Sequence, residues 1–217
     1  ERKRGKLSTQ IYHFLLGDPG MCSYTDKVIK QLEPAKIKFL NTWNKAFTAP
    51  YCDDDIETLK KLSKTIDKLW KDQISLRQQL KQQTHDSLSV FKFNDDEPDS
   101  HTSIRTKDQM LRTMYRSENA KNAGAYARLK FAMDYWCALW FWPIDKADLL
   151  PSRSEFLNDM YMILVGLYST NSDSQQLSML EDADEEDTDI LLQVNLDELC
   201  ALLPRLRLAR TIAQQNH

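Results

Sequence analysis

The stretch YARLKFAMDYWCALWFWP, residues 126–143, decides the fold, because it holds three of the five tryptophans and follows a helical repeat. Its apolar residues recur at spacings of three and four, which places them on one helix face and matches a heptad seam. Further apolar residues lie off this seam, so we expect the helix to be buried on several sides and to stop at Pro143. The seam residues are Tyr126, Leu129, Met133, Trp136 and Trp140.

Two interpretations of this aromatic cluster are open. It can form an aromatic pocket for a flipped base or a nucleoside. It can also be core packing, because each aromatic side chain buries about 150–250 Å². Aromatic stripes at helical spacing are usually core, which favours the second interpretation.

Composition indicates a helical chain of one domain or two small ones. Charged residues make up 28% of the 217 residues and there are only five glycines, which favours helix over sheet. No apolar run reaches about 18 residues and the first ten residues are polar, so we expect neither a membrane span nor a signal peptide. The first residue is Glu1 rather than methionine, which favours a piece excised from a longer protein.

The four cysteines, Cys22, Cys52, Cys137 and Cys200, are isolated in the sequence. None forms a C-x-x-C pair or lies near a histidine at metal-ligand spacing. We therefore predict a reduced, cytoplasmic protein without a metal site. Cys137 lies within the aromatic helix, where a thiol is expected to pack as a small hydrophobe.

Charge is segregated along the chain. Acidic clusters at 95–99 and 181–189 contain eleven carboxylates, and the remaining residues carry a net charge of +8. A basic body with acidic loops is compatible with nucleic-acid contact. Ordinary solvated faces explain the same pattern and are the preferred interpretation.

The first half of the chain predicts an arm and two helical regions. Residues 1–24 are interpreted as an arm with a turn at 16–20, and residues 25–47 as a helix capped by Thr25 and broken near Glu33 by Pro34. The apolar repeat in that helix is Val28, Leu32, Ala35, Phe39, Trp43 and Ala46.

A long helix is predicted from Asp53, where three aspartates suit the positive helix start. Its apolar seam runs for about three heptads with one polar interruption at Gln73. Lysines occupy its other faces, and they form either a DNA-facing ridge or a solvated flank, of which the flank is preferred. The seam is Leu59, Leu62, Ile66, Leu69, Gln73, Leu76 and Leu80, and the lysines are Lys60, Lys61, Lys64, Lys68 and Lys71.

A second long helix is predicted at 107–141, after a mixed loop at 84–106. Two long helices that carry heptads and are joined by a loop favour an antiparallel helical hairpin. The polar seam residues Gln73, Asn119 and Asn122 are hypothesised to set its register.

The remaining chain predicts a helix at 149–168 that begins at Pro151 and has Phe156, Met160, Ile163, Leu164 and Leu167 inward. An acidic loop then leads to C-terminal helices interrupted at Pro204. The fold prediction is all-α: a long antiparallel helical hairpin with additional packed helices and acidic loops. We divide the chain into an N-terminal arm and helices at 1–52, the hairpin with its following helix at 53–168, an acidic loop at 169–195 and a C-terminal helix at 196–217.

No catalytic constellation can be assembled from the sequence. No Ser-His-Asp or Cys-His arrangement, glycine-rich nucleotide loop or Asp/Asn-Pro-Pro-aromatic tetrapeptide occurs. We therefore predict no catalytic, cofactor-binding or metal-ligating residue in this chain.

Several segments resemble a known protein family. They are Tyr115 to Glu118, Tyr126 to Lys130 and Asp134 to Pro143, with a second group at Val194 to Leu199, Leu203 to Leu206 and Ala209 to Ala213. These segments are similar to the helical spacer of large bacterial adenine-specific DNA methyltransferases. That family includes type IIG restriction–modification enzymes and the methylases of BREX- and DISARM-type phage-defence systems.

The resemblance implies an insert between the cofactor-binding and catalytic motifs of such an enzyme. The parent would transfer a methyl group from S-adenosylmethionine to the exocyclic amine of adenine. This chain contains none of the family's catalytic or cofactor motifs, so no such residue is carried over.

The resulting hypothesis is a non-catalytic helical domain that spaces other domains of the same polypeptide and contacts the backbone of double-stranded DNA. The candidate contact residues are Lys60, Lys64, Lys68 and Lys71. The alternative is a freestanding helical module that docks a protein partner without binding DNA.

Overall fold

The structure is a computed structural model that describes residues 10–85, 102–166 and 195–215, apart from the side chains of Glu118 and Asn119. Every regular element in these ranges is helical, so the predicted all-α class is confirmed. The α-helices are α1 (Lys27–Leu32), α2 (Pro34–Phe47), α3 (Asp53–Thr84), α4 (Ile104–Arg116), α5 (Glu118–Asn122), α6 (Ala125–Ala138), α7 (Arg153–Leu164), α8 (Leu196–Leu202) and α9 (Pro204–Gln215), with short 3₁₀ helices at His13–Leu15 and Ile144–Leu149.

Residues 10–24 belong to the core, so the prediction of an arm is wrong for this part of it. Leu15, Met21 and Cys22 are almost fully buried. The predicted turn is confirmed, because the backbone N–H of Met21 donates to the carbonyl of Asp18 at 3.0 Å. Segments without a helical repeat can still bury apolar side chains once other elements pack over them, and α6 does so here through Trp136, which donates to the carbonyl of Leu16 at 2.8 Å.

The break between α1 and α2 is confirmed at Glu33, but of the apolar repeat named from the sequence only Trp43 is buried. Val28, Leu32 and Phe39 are exposed by 61%, 73% and 49%. The buried residues are instead Ile37, Leu40, Trp43 and Phe47. The segment therefore carries two apolar repeats, the one named from the sequence and the buried one. Contacts with other elements decide which repeat is buried. The N-cap is Asp26 rather than Thr25, because its carboxylate accepts from the backbone of Val28 and Ile29.

Helix α3 is present as predicted, and the first half of its seam is buried. Its N-cap is Cys52, whose Sγ accepts from the Asp55 backbone at 3.5 Å, while the three aspartates occupy the first turn. Beyond Gln73 the seam leaves the core, because Leu76 is 44% exposed. The buried seam residues are Leu59, Leu62, Ile66, Leu69 and Gln73.

The predicted second long helix is wrong, because the chain forms α4, α5 and α6 instead. Ser117 has extended backbone and its hydroxyl accepts from the Ala120 N–H at 3.1 Å, and Gly124 is extended at φ −61° and ψ 150°. Helix α6 ends at Ala138, before the predicted stop at Pro143. The antiparallel hairpin between α3 and the chain that follows it stays a prediction. The Thr102 hydroxyl donates to the Gln83 carbonyl at 3.1 Å, so α4 begins beside the last turn of α3.

The aromatic helix α6 is mostly core, as the preferred interpretation predicts, but its most buried face differs from the expected seam. Tyr126 is 52% exposed and Trp140 is 36% exposed. Cys137 is also exposed, so its predicted packing is wrong. The buried residues in and just after the helix are Leu129, Phe131, Ala132, Tyr135, Ala138, Leu139 and Trp142.

The C-terminal helices complete one hydrophobic core that extends from Phe14 to Ile212. The inward residues predicted for α7 are confirmed from Phe156 to Leu164, although this helix begins at Arg153, and Leu167 lies outside the described residues. The break before Pro204 is also confirmed. Of the predicted loop at 84–106, residues 86–101 lie outside the described residues, whereas Thr84 still belongs to α3 and α4 already begins at Ile104. Most of the acidic loop at 169–195 and the basic start of the chain also lie outside the described residues, and the division into domains stays a prediction.

Candidate nucleic-acid interface

The candidate interface lies on the outer face of α3. We call its four lysines, Lys60, Lys64, Lys68 and Lys71, the lysine ridge. All four side chains are exposed. At 3.6 residues per turn they fall within an arc of about 80°, and they span about 16 Å along the helix axis. The buried seam of α3 lies on the opposite side, so the helix presents these charges outward.

The lysine ridge forms no ion pair with a carboxylate among the residues that the structure describes. An ammonium group without a partner can neutralise a phosphate without first losing an internal contact. Three partly buried arginines differ in this respect. They form ion pairs within the fold: Arg153 with Asp55, Arg205 with Asp159, and Arg210 with Asp197.

The arginines of α9 therefore have structural roles. Asp159 is fully buried and accepts from Arg205 Nε at 2.7 Å and Nη2 at 2.9 Å. The Tyr135 hydroxyl also donates to it at 2.7 Å. Burial raises the pKa of Tyr135 well above its usual value, and the Asp159 charge adds to this effect. The three groups satisfy one another and join α6, α7 and α9, and sequence reasoning missed them because they are far apart in the chain.

Trp136, at the centre of the aromatic stretch, lines neither of the two grooves described below. Trp136 lies edge-on to His13 with ring centroids 5.5 Å apart, and its indole N–H is bonded to the backbone. Beside the aromatic stretch is an open, largely apolar groove of about 680 Å³. We call it the apolar groove, and its apolar walls are Tyr24, Ile29, Leu32, Trp140, Phe141, Trp142, Pro143 and Ile144.

A second groove, of about 820 Å³, lies where the C-terminal half of α3 faces α4, α5 and the start of α6. We call it the α3–α4 groove. Its walls are largely apolar, with the amides of Gln73, Gln79, Gln83 and Gln109 and the carboxylate of Asp72 among them. This site was missed from the sequence, although the seam positions Gln73, Leu76 and Leu80 all line it. The only available signal was the polar interruption of the seam.

The described ranges contain no group of three His, Cys, Asp or Glu side chains that could hold a metal ion. All four cysteines are free thiols, and burial raises the pKa of Cys22 to about 12. None of the helices in these ranges is long and apolar enough to cross a membrane.

Any functional proposal for this chain rests on its geometry, because comparison with known proteins adds no relative. No protein-family model, no curated protein and no solved structure matches the chain.

Proposed function

We propose that this chain is a non-catalytic helical domain that contacts the phosphate backbone of double-stranded DNA through the lysine ridge. Following the resemblance, it serves a cytoplasmic adenine-specific DNA methyltransferase of a restriction or phage-defence system. S-adenosylmethionine and the target adenine are then bound by other domains of the same polypeptide. The observation that carries the proposal is the exposure of four lysines on one face of α3, none of which forms an ion pair with a residue that the structure describes.

The geometry of the lysine ridge supports backbone contact rather than base reading. Lysine ammonium groups are point charges on flexible stems and suit phosphates without selecting a sequence. Helix α3 is 32 residues long and continues past the ridge, so one element can lie along a backbone. Each phosphate that a lysine neutralises releases counterions, which makes such binding weaken steeply with salt.

The test is binding of the full chain to a fluorescent 20-base-pair duplex, measured by anisotropy across a salt series. The variant reverses the ridge with Lys60→Glu, Lys64→Glu, Lys68→Glu and Lys71→Glu. If each lysine neutralises one phosphate, the slope of log K against log salt falls in magnitude by about 3.6 in this variant. Affinity at low salt falls with it.

The matched control reverses four exposed lysines of α1 and α2: Lys27, Lys30, Lys38 and Lys45. Both variants have the same net charge, so a general charge effect weakens both equally. The proposal requires that only the ridge variant loses affinity and salt slope. Unchanged binding by the ridge variant, or no binding of the parent chain at about 50 mM salt, contradicts it.

A second candidate function is a helical module that docks a protein partner, and the apolar groove favours it. Leu32 and Phe141 line this groove and are 73% and 63% exposed. Contiguous exposed apolar surface often marks a protein interface. The gene distinguishes the two candidates, because an Asp/Asn-Pro-Pro-aromatic motif a few tens of codons downstream supports the methyltransferase.

A further inference from the structure

The aromatic walls of the apolar groove are held in place by contacts within the fold. Trp142 is fully buried, its indole N–H donates to the Lys146 carbonyl at 2.9 Å, and its own carbonyl accepts from the Tyr24 hydroxyl. Trp140 packs directly on Gly20, because a Cβ at that glycine would lie 2.5 Å from the indole ring. The groove is therefore preformed, so an occupant loses little free energy in ordering its walls.

Apolar side chains project from the walls of this groove. Leu32 and Phe141 line it but are 73% and 63% exposed, and Trp140 is 36% exposed. Val28 lies one helical turn before Leu32 and is 61% exposed, so α1 extends the same apolar surface. Projecting side chains thus lie beside a hollow of about 680 Å³, which gives one surface both parts of a self-complementary interface.

The size of this surface suits a pair of identical chains. A standard interface buries about 800 Å² on each partner, and about 65% of that area is apolar in homodimers. The four projecting side chains expose on the order of 400 Å² together, given about 150–250 Å² for a fully accessible aromatic side chain. Tyr24, Ile29 and Ile144 are partly buried in the groove and add to this area. One such surface on each copy therefore approaches the apolar area that a dimer buries.

Charges of both signs line the groove. Lys36 pairs with Glu33 at 3.4 Å, but the two side chains are 42% and 48% exposed, and such a pair contributes little stability. Asp145 forms no ion pair with a residue that the structure describes. A partner of one charge sign would satisfy only one of these groups, whereas a second copy supplies both signs. A two-fold axis lets Lys36 of each copy face Asp145 of the other.

We propose that the apolar groove is a dimer interface whose occupant is a second copy of this chain. Leu32 and Phe141 of each copy enter the groove of the other copy, and Lys36 faces Asp145 across the two-fold axis. This inference goes beyond contact with duplex DNA, since it assigns an oligomeric state to the chain. It does not rest on the lysine ridge, whose four residues line neither groove.

The experiment is sedimentation equilibrium of the full chain without DNA, at concentrations from about 1 to about 200 µM. A dimer with a dissociation constant of about 10 µM or below is expected, since interfaces of this size reach at least micromolar affinity. The test variant is Leu32→Asp with Phe141→Asp, which places two carboxylates in the interface. Each substitution is expected to raise the dissociation constant at least about 30-fold, so this variant is monomeric throughout the range.

The matched control is Ile104→Asp with Leu202→Asp, which has the same net charge as the test variant. These two residues are 85% and 68% exposed and line neither groove. The control is expected to dimerise as the parent does. Circular dichroism of each variant checks that the helices remain.

An exchange of charges tests the pairing across the two-fold axis. Asp145→Lys and Lys36→Asp are each expected to weaken the dimer severalfold, because each places like charges opposite one another. The variant with both substitutions has the pair with its signs reversed, and it is expected to regain the dissociation constant of the parent. A double variant that dimerises more weakly than either single variant would contradict this arrangement.

A parent chain that stays monomeric at about 200 µM overturns the proposal and leaves the groove to a different protein. Equal dimerisation of the test variant and its matched control overturns it as well. Neither result bears on duplex binding by the lysine ridge, because sedimentation is measured without DNA. The ridge variant is expected to lose duplex binding and to remain a dimer, so the two proposals fail separately.

Discussion

At the scale of single residues, Asp159 shows how a buried carboxylate is stabilised in this fold. Arg205 and Tyr135 satisfy its two oxygens, and Arg205 also reaches Glu155 at 3.2 Å. The charged partner raises the pKa of the Arg205 guanidinium above its usual value, chiefly through the Asp159 hydrogen bond. The ion pair between Arg205 and Asp159 therefore requires both side chains, because either charge would otherwise lack its partner.

The first prediction is that Asp159→Asn destabilises the fold by about 3 kcal/mol, because it leaves the Arg205 charge without its buried counterion. Urea unfolding followed by circular dichroism measures the loss. The control is Glu155→Gln, whose side chain is 47% exposed and which keeps the capping box, so its cost is under about 1 kcal/mol. Equal losses in the two variants would show that Asp159 is not the anchoring member.

The second prediction concerns alkaline pH. Burial raises the pKa of Tyr12 and of Tyr24 to about 12. In the unfolded chain these phenols lose their protons near about pH 10, so the unfolded state binds fewer protons above that value. The stability that these two phenols contribute is therefore fully present below about pH 10 and is lost as the pH rises towards 12.

This loss is measured as the free energy of urea unfolding at about pH 9 and about pH 11. The variant Tyr24→Phe removes one raised phenol, and its stability is expected to fall less over the same interval. Tyr24 donates to the carbonyl of Trp142, so the variant starts from a lower stability at neutral pH. A variant that loses as much between the two pH values as the parent would contradict the assignment.

At the scale of elements, α3 combines a buried half and an exposed half in one continuous helix. The N-terminal part of α3 contacts the core through residues from Leu59 to Gln73. Beyond it, Ile74 is 51% exposed and Leu76 is 44% exposed. The acidic first turn and the helix-favouring composition hold the helix together along its whole length. This continuity carries the lysine ridge and one wall of the α3–α4 groove on a single element.

The third prediction tests this division. Ile66→Ala is expected to cost about 3 kcal/mol, because Ile66 is fully buried and its truncation leaves a cavity. Ile74→Ala changes the same residue type on the same helix at an exposed position, and it is expected to be nearly neutral. Thermal and urea unfolding compare the two variants, and similar losses would place Ile74 in the core instead.

At the scale of the whole molecule, Arg153 joins the start of α7 to the connection between α2 and α3. Its guanidinium lies 4.4 Å above the Tyr51 ring and 3.5 Å from the Asp55 carboxylate. It also donates to the backbone carbonyls of Ala46, Phe47, Ala49 and Pro50. One side chain thus satisfies the carbonyls at the C-terminal end of α2 and fixes the position of α3.

The fourth prediction is that Arg153→Lys costs about 2–3 kcal/mol although the charge is kept, because an ammonium group cannot reproduce the planar fork of donors. The control is Arg112→Lys, since Arg112 forms an exposed pair with Asp108 and is 65% exposed. That control is expected to change the free energy of unfolding by less than about 0.5 kcal/mol. A small loss for Arg153→Lys would mean that charge alone holds the connection.

Much of the fold could be predicted because its signals are local. Proline 34 and Proline 204 break helices by their own geometry, and the long apolar and charged repeat of α3 specifies a helix without help from elsewhere. The predicted second long helix at 107–141 could not be recognised as α4, α5 and α6, because Ser117 and Gly124 are weak breakers whose effect depends on neighbouring contacts. The lysine ridge was predicted as a set, whereas the α3–α4 groove needs two elements brought together.

The sequence by itself determined that the described chain is helical, where its strongest breaks lie, and that α3 carries lysines away from its seam. These features follow from backbone propensity, capping and periodicity, which act over a few residues. Tertiary structure alone decided which face of α2 and α6 is buried, that residues 10–24 join the core, and that Asp159 meets Arg205. Those outcomes depend on contacts between residues distant in the chain, because competing apolar faces differ in free energy only once their packing partners are present.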